Sequence, residues 1–107
     1  MIDTGVTPHP RLPGLQPGGD YVHTGDGLSD CDAHGTLVAG LIAASTTEGS
    51  GFSGGAPDAR IISIRQSSNV FRSERQSGDE NDPAAENAAG YGNVMTMAMA
   101  VRAAADL

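Results

Sequence analysis

The apolar residues of this chain are gathered into short clusters, and the spacing within each cluster constrains the fold more than any other feature. Ile2 and Val6 flank an Asp-Thr-Gly sequence, a pattern that predicts the end of a strand running into a glycine turn. Residues 60–65 contain three isoleucines between a turn sequence and a polar stretch, which predicts a short buried strand. These two clusters therefore indicate two strands that are far apart in the chain.

Two other clusters repeat apolar residues at helical spacing. The first predicts a helix over residues 34–45, with Asp30 or Asp32 available to cap its N-terminus. The second predicts a helix from an Asn93 cap through Asp106. The apolar face of this second helix is predicted to consist of Val94, Met97, Ala98, Val101, Ala104 and Ala105. The order strand, helix, strand, helix predicts an α/β domain with a parallel sheet.

The segments between the clusters are polar or rich in glycine and proline. Residues 7–30 contain four prolines and five glycines, so they are predicted to form a surface connection with a turn at residues 18–20. Residues 66–92 carry mixed charges and are predicted to form a long exposed loop or insertion. Gly35 and Gly40 each cost about 1 kcal/mol inside a helix. Their presence predicts a helix that packs very close to another backbone.

The composition argues for part of a folded domain with a restricted set of partners. Leu, Ile, Val and Phe account for 19 of 107 residues, just under the roughly 20% level at which a charged chain begins to look disordered. Their clustering favours a piece of a folded domain instead. The net charge of −7 argues against a nucleic acid or an anionic membrane as partner. No stretch approaches the about 18 apolar residues of a membrane span, and no export signal is predicted within the chain.

Asp3 and His34 are the residues best suited to carry chemistry. Acyl transfer by a serine needs a base that takes the hydroxyl proton and a carboxylate that orients the base. Asp3 lies at a predicted strand end beside Gly5, where a carboxylate can be held rigidly and still face a cleft. His34 begins a predicted helix, whose N-terminus disfavours an imidazolium and should keep the ring neutral. Taken singly, the aspartate is explained as a turn former and the histidine as a solvated residue at a helix start.

Three motifs around these residues occur in a recognisable order. Residues 2–6 resemble the aspartate motif of the subtilisin-like serine proteases, and residues 32–40 resemble the histidine motif of the same family. Residues 54–61 resemble the next landmark of that family, a turn that leads into a core strand. The resemblance implies a three-layer α/β fold with a mainly parallel sheet, of which residues 1–107 form part of the peptidase S8 catalytic domain.

The same resemblance implies the roles of individual residues. Asp3 would orient His34, and His34 would act as the general base in peptide-bond hydrolysis, with a peptide or protein as substrate and no organic cofactor. The family's nucleophile stands in a Gly-Thr-Ser motif, which the 107 residues do not contain. The alternative is therefore a catalytically inactive fragment or an interaction module. Met1 stands where the family usually has a valine, which suggests the hypothesis of a reading frame truncated at an internal codon.

Within the family, the chain is most similar to the mycosins, the subtilases attached to type VII secretion systems. Leu37 stands where most subtilases have a second histidine, as in mycosins, and residues 59–68 are also similar. The resemblance implies a protein outside the cytoplasmic membrane, anchored in the cell envelope beside a secretion complex. It also implies a disulfide between Cys31 and an N-terminal extension. From the residues alone, Cys31 is a buried small residue, a free thiol or half of an external bridge.

Two other kinds of site are weaker interpretations. Aspartic proteases also use Asp-Thr-Gly, but they need two such carboxylates, and this motif occurs once in the chain. His9, His23 and His34 match no compact metal-ligand spacing, so no metal site is predicted from them. Asp20, Asp26 and Asp30 are chemically suited to a hard cation such as Ca²⁺, but their arrangement is not diagnostic.

Overall fold

The computed structural model describes residues 1–70 and 92–107, and three parallel strands form the sheet of this part of the chain. The strands lie in the order β1, β3, β2, and both pairings are parallel. The elements are β1 (Ile2–Asp3), β2 (Gln16–Asp20), α1 (His34–Ala43), β3 (Ile62–Arg65) and α2 (Val94–Ala105). The predicted parallel α/β architecture is confirmed.

The central strand β3 is the one that the isoleucine-rich run predicts. Ser63 and Ile64 are fully buried within it. Ile64 lies in register with Ile2 on one side and with Gly19 on the other. Within the strand the isoleucines alternate with Ser63 and Arg65, and because these two polar side chains are buried as well, both faces of β3 are covered.

Strand β2 corrects the prediction of a surface connection over residues 7–30. It contains a proline and two glycines and no β-branched residue, so no strand signal is visible in its sequence. Its pairing depends on close approach, because a Cβ at Gly18 would lie 2.6 Å from the carbonyl oxygen of Ser63. The predicted turn at residues 18–20 is thus an irregular strand, with a register shift between Pro17 and Gly19.

Helix α1 begins at His34 as predicted and ends two residues earlier than predicted. Its last turn is closed by the following loop, because the N–H groups of Gly55 and Ala56 donate to the carbonyl oxygens of Leu41 and Ile42. Gly54 is required in this loop, since a Cβ there would overlap the backbone of the helix end. The core beside α1 consists of Val6, Leu12, Ala39, Ala43 and Ile61.

Helix α2 starts at the predicted cap. The side chain of Asn93 accepts a hydrogen bond from the N–H of Thr96, and the Thr96 hydroxyl closes a reciprocal capping box. The predicted apolar face is wrong, because the buried residue of this helix is Ala100, whereas five of the six predicted residues are exposed, Val94 by 84%. The small side chains around Ala100 let that face of α2 pack close to the rest of the described chain, and the larger side chains lie on the exposed side. The half-buried positions beside Ala100 are Thr96, Ala103 and Ala104.

Most of the loop predicted over residues 66–92 lies outside the described residues. Within the described ranges, no helix is both long enough and apolar enough to cross a bilayer.

Candidate active site

Asp3 and His34 lie in direct contact at the carboxyl end of the sheet. The Nδ1 atom of His34 is 2.7 Å from the Oδ1 atom of Asp3. The same Oδ1 atom accepts a hydrogen bond from the N–H of Thr4. The side chain of Asp3 is 16% exposed, whereas that of His34 is 67% exposed. The Asp3 carboxylate is therefore largely buried and fixed by a backbone hydrogen bond, and the imidazole is accessible to solvent or to a reacting group.

The aspartate changes the proton affinity of the imidazole. The hydrogen bond to the Asp3 carboxylate and then the negative charge of Asp3 raise the pKa of His34 above its ordinary value of 6.5, with smaller contributions from the charges of Asp30 and Asp32. The direction of this shift is opposite to the one expected from the helix N-terminus alone. A full carboxylate charge at hydrogen-bond distance outweighs the partial positive charge of a helix end.

The two residues are brought together by backbone contact between β1 and α1. A Cβ at Gly35 would overlap the carbonyl oxygen of Gly5 and would lie 3.0 Å from the Oδ1 atom of Asp3. Gly5 itself has a φ of 99°, a conformation that favours glycine. The predicted close packing of a glycine-bearing helix is confirmed at Gly35. At Gly40 it is wrong, since a Cβ there meets no described atom within 4 Å.

This contrast predicts opposite effects of two equivalent substitutions in one helix. Gly35→Ala should destabilise the chain by about 1–3 kcal/mol, because the added methyl group forces α1 away from β1. Gly40→Ala should stabilise it by about 0.5–1 kcal/mol, because alanine is the better helix former and the site is open. Urea unfolding followed by circular dichroism measures both. Equal effects of the two variants would contradict the proposed backbone contact.

An open cleft of about 370 Å³ lies beside the Asp3–His34 pair. The lining residues are Ile2, Asp3, Thr4, His34, Gln66, Ser67, Asn69 and Met97. Sequence reasoning missed the three that follow β3 and the one in α2, Met97. The three after β3 could have been found from their position directly after a predicted strand, because clefts in parallel sheets form at the carboxyl ends of the strands.

Two polar side chains fix the wall of this cleft. Gln66 is buried, and its amide donates to the carbonyl oxygen of Asn93 and to the hydroxyl of Thr96, which ties β3 to the start of α2. Asp32 accepts hydrogen bonds from the Ser68 hydroxyl and the Asn69 N–H. Asp32 therefore holds the segment after β3 and does not cap α1.

The other candidate residues lie outside the Asp3–His34 pair. Cys31 is exposed and its thiol is free, so the alternative of a buried small residue is wrong, and the disulfide stays a prediction. Ser63 is buried in β3, where its hydroxyl donates to the carbonyl oxygen of Gly27. His9 accepts from the N–H of Arg11 and lines a different, mainly apolar pocket beside α1.

The aspartates that could suit a cation are also engaged. Asp20 pairs with Arg65, and Asp26 accepts from the N–H of Leu28. Asp30 is surrounded by hydrogen-bond donors. Among the residues that the structure describes, no group of three or more His, Cys, Asp or Glu side chains is arranged to hold a metal ion.

Comparison with known proteins identifies the family. The sequence model of the subtilase family, peptidase S8, matches residues 1–104. The chain belongs to the subtilase family. Mycosin-4 of Mycobacterium tuberculosis is 56% identical to it over 108 aligned positions, which cover 100% of this chain and 22% of that protein.

Solved structures agree with this assignment. The MycP3 protease from the type VII (ESX-3) secretion system is 53% identical, with a TM-score of 0.79 over 98% of this chain and 27% of its own. A chain in the periplasmic assembly of the ESX-5 inner membrane complex is 52% identical, with a TM-score of 0.79 over 98% of this chain and 29% of its own. The chain therefore has part of the three-layer α/β subtilase fold, and it spans about a quarter of the length of these relatives.

Proposed function

We propose that residues 1–107 supply the acid–base half of the catalytic triad of a subtilisin-like serine endopeptidase. In this proposal Asp3 orients His34, His34 is the general base, and the nucleophilic serine comes from sequence outside these residues. The observation that carries the proposal is the 2.7 Å contact between the Asp3 carboxylate and the His34 ring at an open cleft. The family, whose members are serine proteases, uses this pair of residue types in this order.

The geometry suits proton transfer in both directions. When Nδ1 of His34 carries the ring proton, this N–H donates a hydrogen bond to the Asp3 carboxylate, and Nε2 is the nitrogen that can accept a proton from a serine hydroxyl. The ring becomes an imidazolium in that step, and the negative charge of Asp3 stabilises it. The imidazolium then protonates the leaving amine. The pKa of His34 is raised because of this same stabilisation of the charged ring.

The proposed setting follows from the relatives. A chain similar to this one belongs to the ESX-5 inner membrane complex, and another to the ESX-3 secretion system. We propose that this subtilase domain acts on a peptide or protein substrate beside a type VII secretion complex, in the cell envelope and outside the cytoplasmic membrane. The exposed thiol of Cys31 is accessible to the proposed disulfide with a segment outside the chain.

A second candidate function is an interaction module without catalytic activity. The observation that favours it is the absence of a Gly-Thr-Ser motif from the 107 residues. In this case the Asp3–His34 pair would be an inherited feature that no longer meets a serine.

One experiment tests the proposed function against this alternative. It uses a chimeric protein in which residues 1–107 replace the matching segment of the MycP3 protease, which contributes the serine expected of a subtilase. The chimera should be labelled by a fluorophosphonate probe and should cleave casein, and the 107-residue chain alone should do neither. An unlabelled, folded chimera would favour the inactive module. Labelling of the isolated chain would contradict the proposal that its nucleophile lies elsewhere.

A further inference from the structure

The carboxylate of Asp30, on the loop before α1, accepts five hydrogen bonds. Its Oδ1 atom accepts from the Thr4 hydroxyl at 2.8 Å and from the N–H groups of Asp32 and Ala33 at 3.1 and 3.0 Å. Its Oδ2 atom accepts from the N–H and the hydroxyl of Thr36 at 2.9 and 2.6 Å. Burial raises the pKa of Asp30, but the hydrogen bonds, led by those from Thr36, together lower it below its ordinary value. The group is a carboxylate at neutral pH, and its bonds are charge-assisted.

These bonds join the two segments that carry the acid and the base. Thr4 follows Asp3 directly, and its hydroxyl oxygen also accepts from the N–H of Gly35, at 2.9 Å. Gly35 follows His34 directly. Asp30 thus holds the end of β1 through Thr4 and the first turn of α1 through Thr36. None of its five hydrogen bonds is to Asp3 or to the His34 ring.

We propose that Asp30 is a positioning residue for the reaction, which fixes the hydrogen bond between Asp3 and His34 by locking the end of β1 to the first turn of α1. The proposal rests on the proposed function, since positioning matters for the reaction when His34 is the base. A shift of about 1 Å between a base and its orienting group is enough to impair such a pair. Three of the five bonds, the one from Thr4 and the two from Thr36, reach the end of β1 and the first turn of α1, and together they restrain these segments more tightly than one side-chain contact would.

A purely electrostatic effect of Asp30 has to be separated from positioning. The charged groups that act on His34 are Asp3 at the end of β1 and Asp30 and Asp32 on the preceding loop. Asp32 offers a matched control, because it also carries a negative charge near the ring. Its oxygens bind Ser68 and Asn69 instead of β1 and α1.

The experiment compares Asp30→Asn with Asp32→Asn in the 107-residue chain. Nitrogen-15 NMR titration reports the pKa of His34 and the ratio of its Nδ1–H and Nε2–H tautomers. An asparagine at position 30 cannot accept all five bonds. The ratio of the Nδ1–H tautomer to the Nε2–H tautomer should therefore fall about fivefold, the equivalent of one lost hydrogen bond. Asp32→Asn should lower the pKa of His34 through lost charge and leave the tautomer ratio unchanged.

Equal changes in both variants would overturn the proposal, because Asp30 would then act through its charge alone. Thr4→Val provides a second test if Asp30→Asn does not fold, since it removes the bridging hydroxyl without changing any charge. It should shift the tautomer ratio in the same direction, and a folded Thr4→Val chain with an unchanged ratio would also overturn the proposal. The NMR readout requires no hydrolysis, so a failure of the proposed protease function would be recognised separately in the chimera.

Discussion

Replacing His34 with alanine in the MycP3 chimera is expected to lower the rate of peptide-bond hydrolysis by about 10⁶-fold, the size of loss established for the equivalent histidine of subtilisin. The imidazole is the proposed acceptor of the serine proton, and it is the ring that contacts Asp3 among the described residues. Asp3→Asn should cost about 10⁴-fold, because the amide no longer stabilises the tautomer that the base requires. The double variant should be no slower than His34→Ala, since the two residues act as a unit. Casein hydrolysis and the rate of fluorophosphonate labelling measure all three.

The pH dependence gives an independent check on these roles. His34 accepts a proton when its ring is neutral, and its pKa is raised by the hydrogen bond and charge of Asp3. The value of kcat/KM should therefore fall as the pH decreases through a pKa above 6.5. In Asp3→Asn this acid limb should move to lower pH, because the group that favours the protonated ring has lost its charge. An acid limb that stays in place would contradict contact between the two residues.

The control for this series is His9→Ala. His9 is exposed and lines a pocket on another side of α1, and its ring accepts from the N–H of Arg11. Its loss should leave the hydrolysis rate and the pH profile unchanged. A His34→Ala chimera with the rate of the parent protein would refute the role of the base.

Arg65→Met is expected to have the largest effect on stability, a loss of about 3–5 kcal/mol. The Nη1 atom of Arg65 lies 3.4 Å from the Oδ2 atom of Asp20, and the two side chains are 4% and 2% exposed. Removal of the cation leaves a buried carboxylate that still accepts hydrogen bonds from the N–H groups of Val22 and His23 but has lost its ion pair with Arg65. Small domains are stable by about 5–15 kcal/mol, so this loss is a large part of the total. Urea unfolding followed by circular dichroism measures it.

Two further variants test whether the loss of stability in Arg65→Met comes from the buried ion pair. Arg60→Met, at an exposed position before β3, should change the free energy of unfolding by less than about 0.5 kcal/mol. The double variant Asp20→Leu with Arg65→Met should lose less stability than Arg65→Met alone, because no unbalanced charge stays buried. A loss of under about 1 kcal/mol for Arg65→Met would show that the pair behaves like an exposed surface ion pair.

Local sequence patterns were sufficient for elements whose cause is local. The isoleucines of β3 and the Asn93 cap of α2 act through burial and hydrogen bonds within a few residues, and both predictions are confirmed. Strand β2 was missed because its pairing depends on the absence of a side chain at Gly18 opposite β3. The buried face of α2 was mispredicted for a similar reason, since small residues there pack closer than the methionines do.

The motifs around Asp3 and His34 were sufficient to single out these two residues and to identify the family to which the chain belongs. The sequence alone also determined the parallel α/β order, because alternating strand and helix periods allow few other arrangements. Only the tertiary structure decided that the Asp3 carboxylate contacts the His34 ring, that this contact raises the ring's pKa, and that Asp30 bonds to both segments. Residues 31 positions apart meet through packing of β1 against α1, and no local pattern encodes that distance.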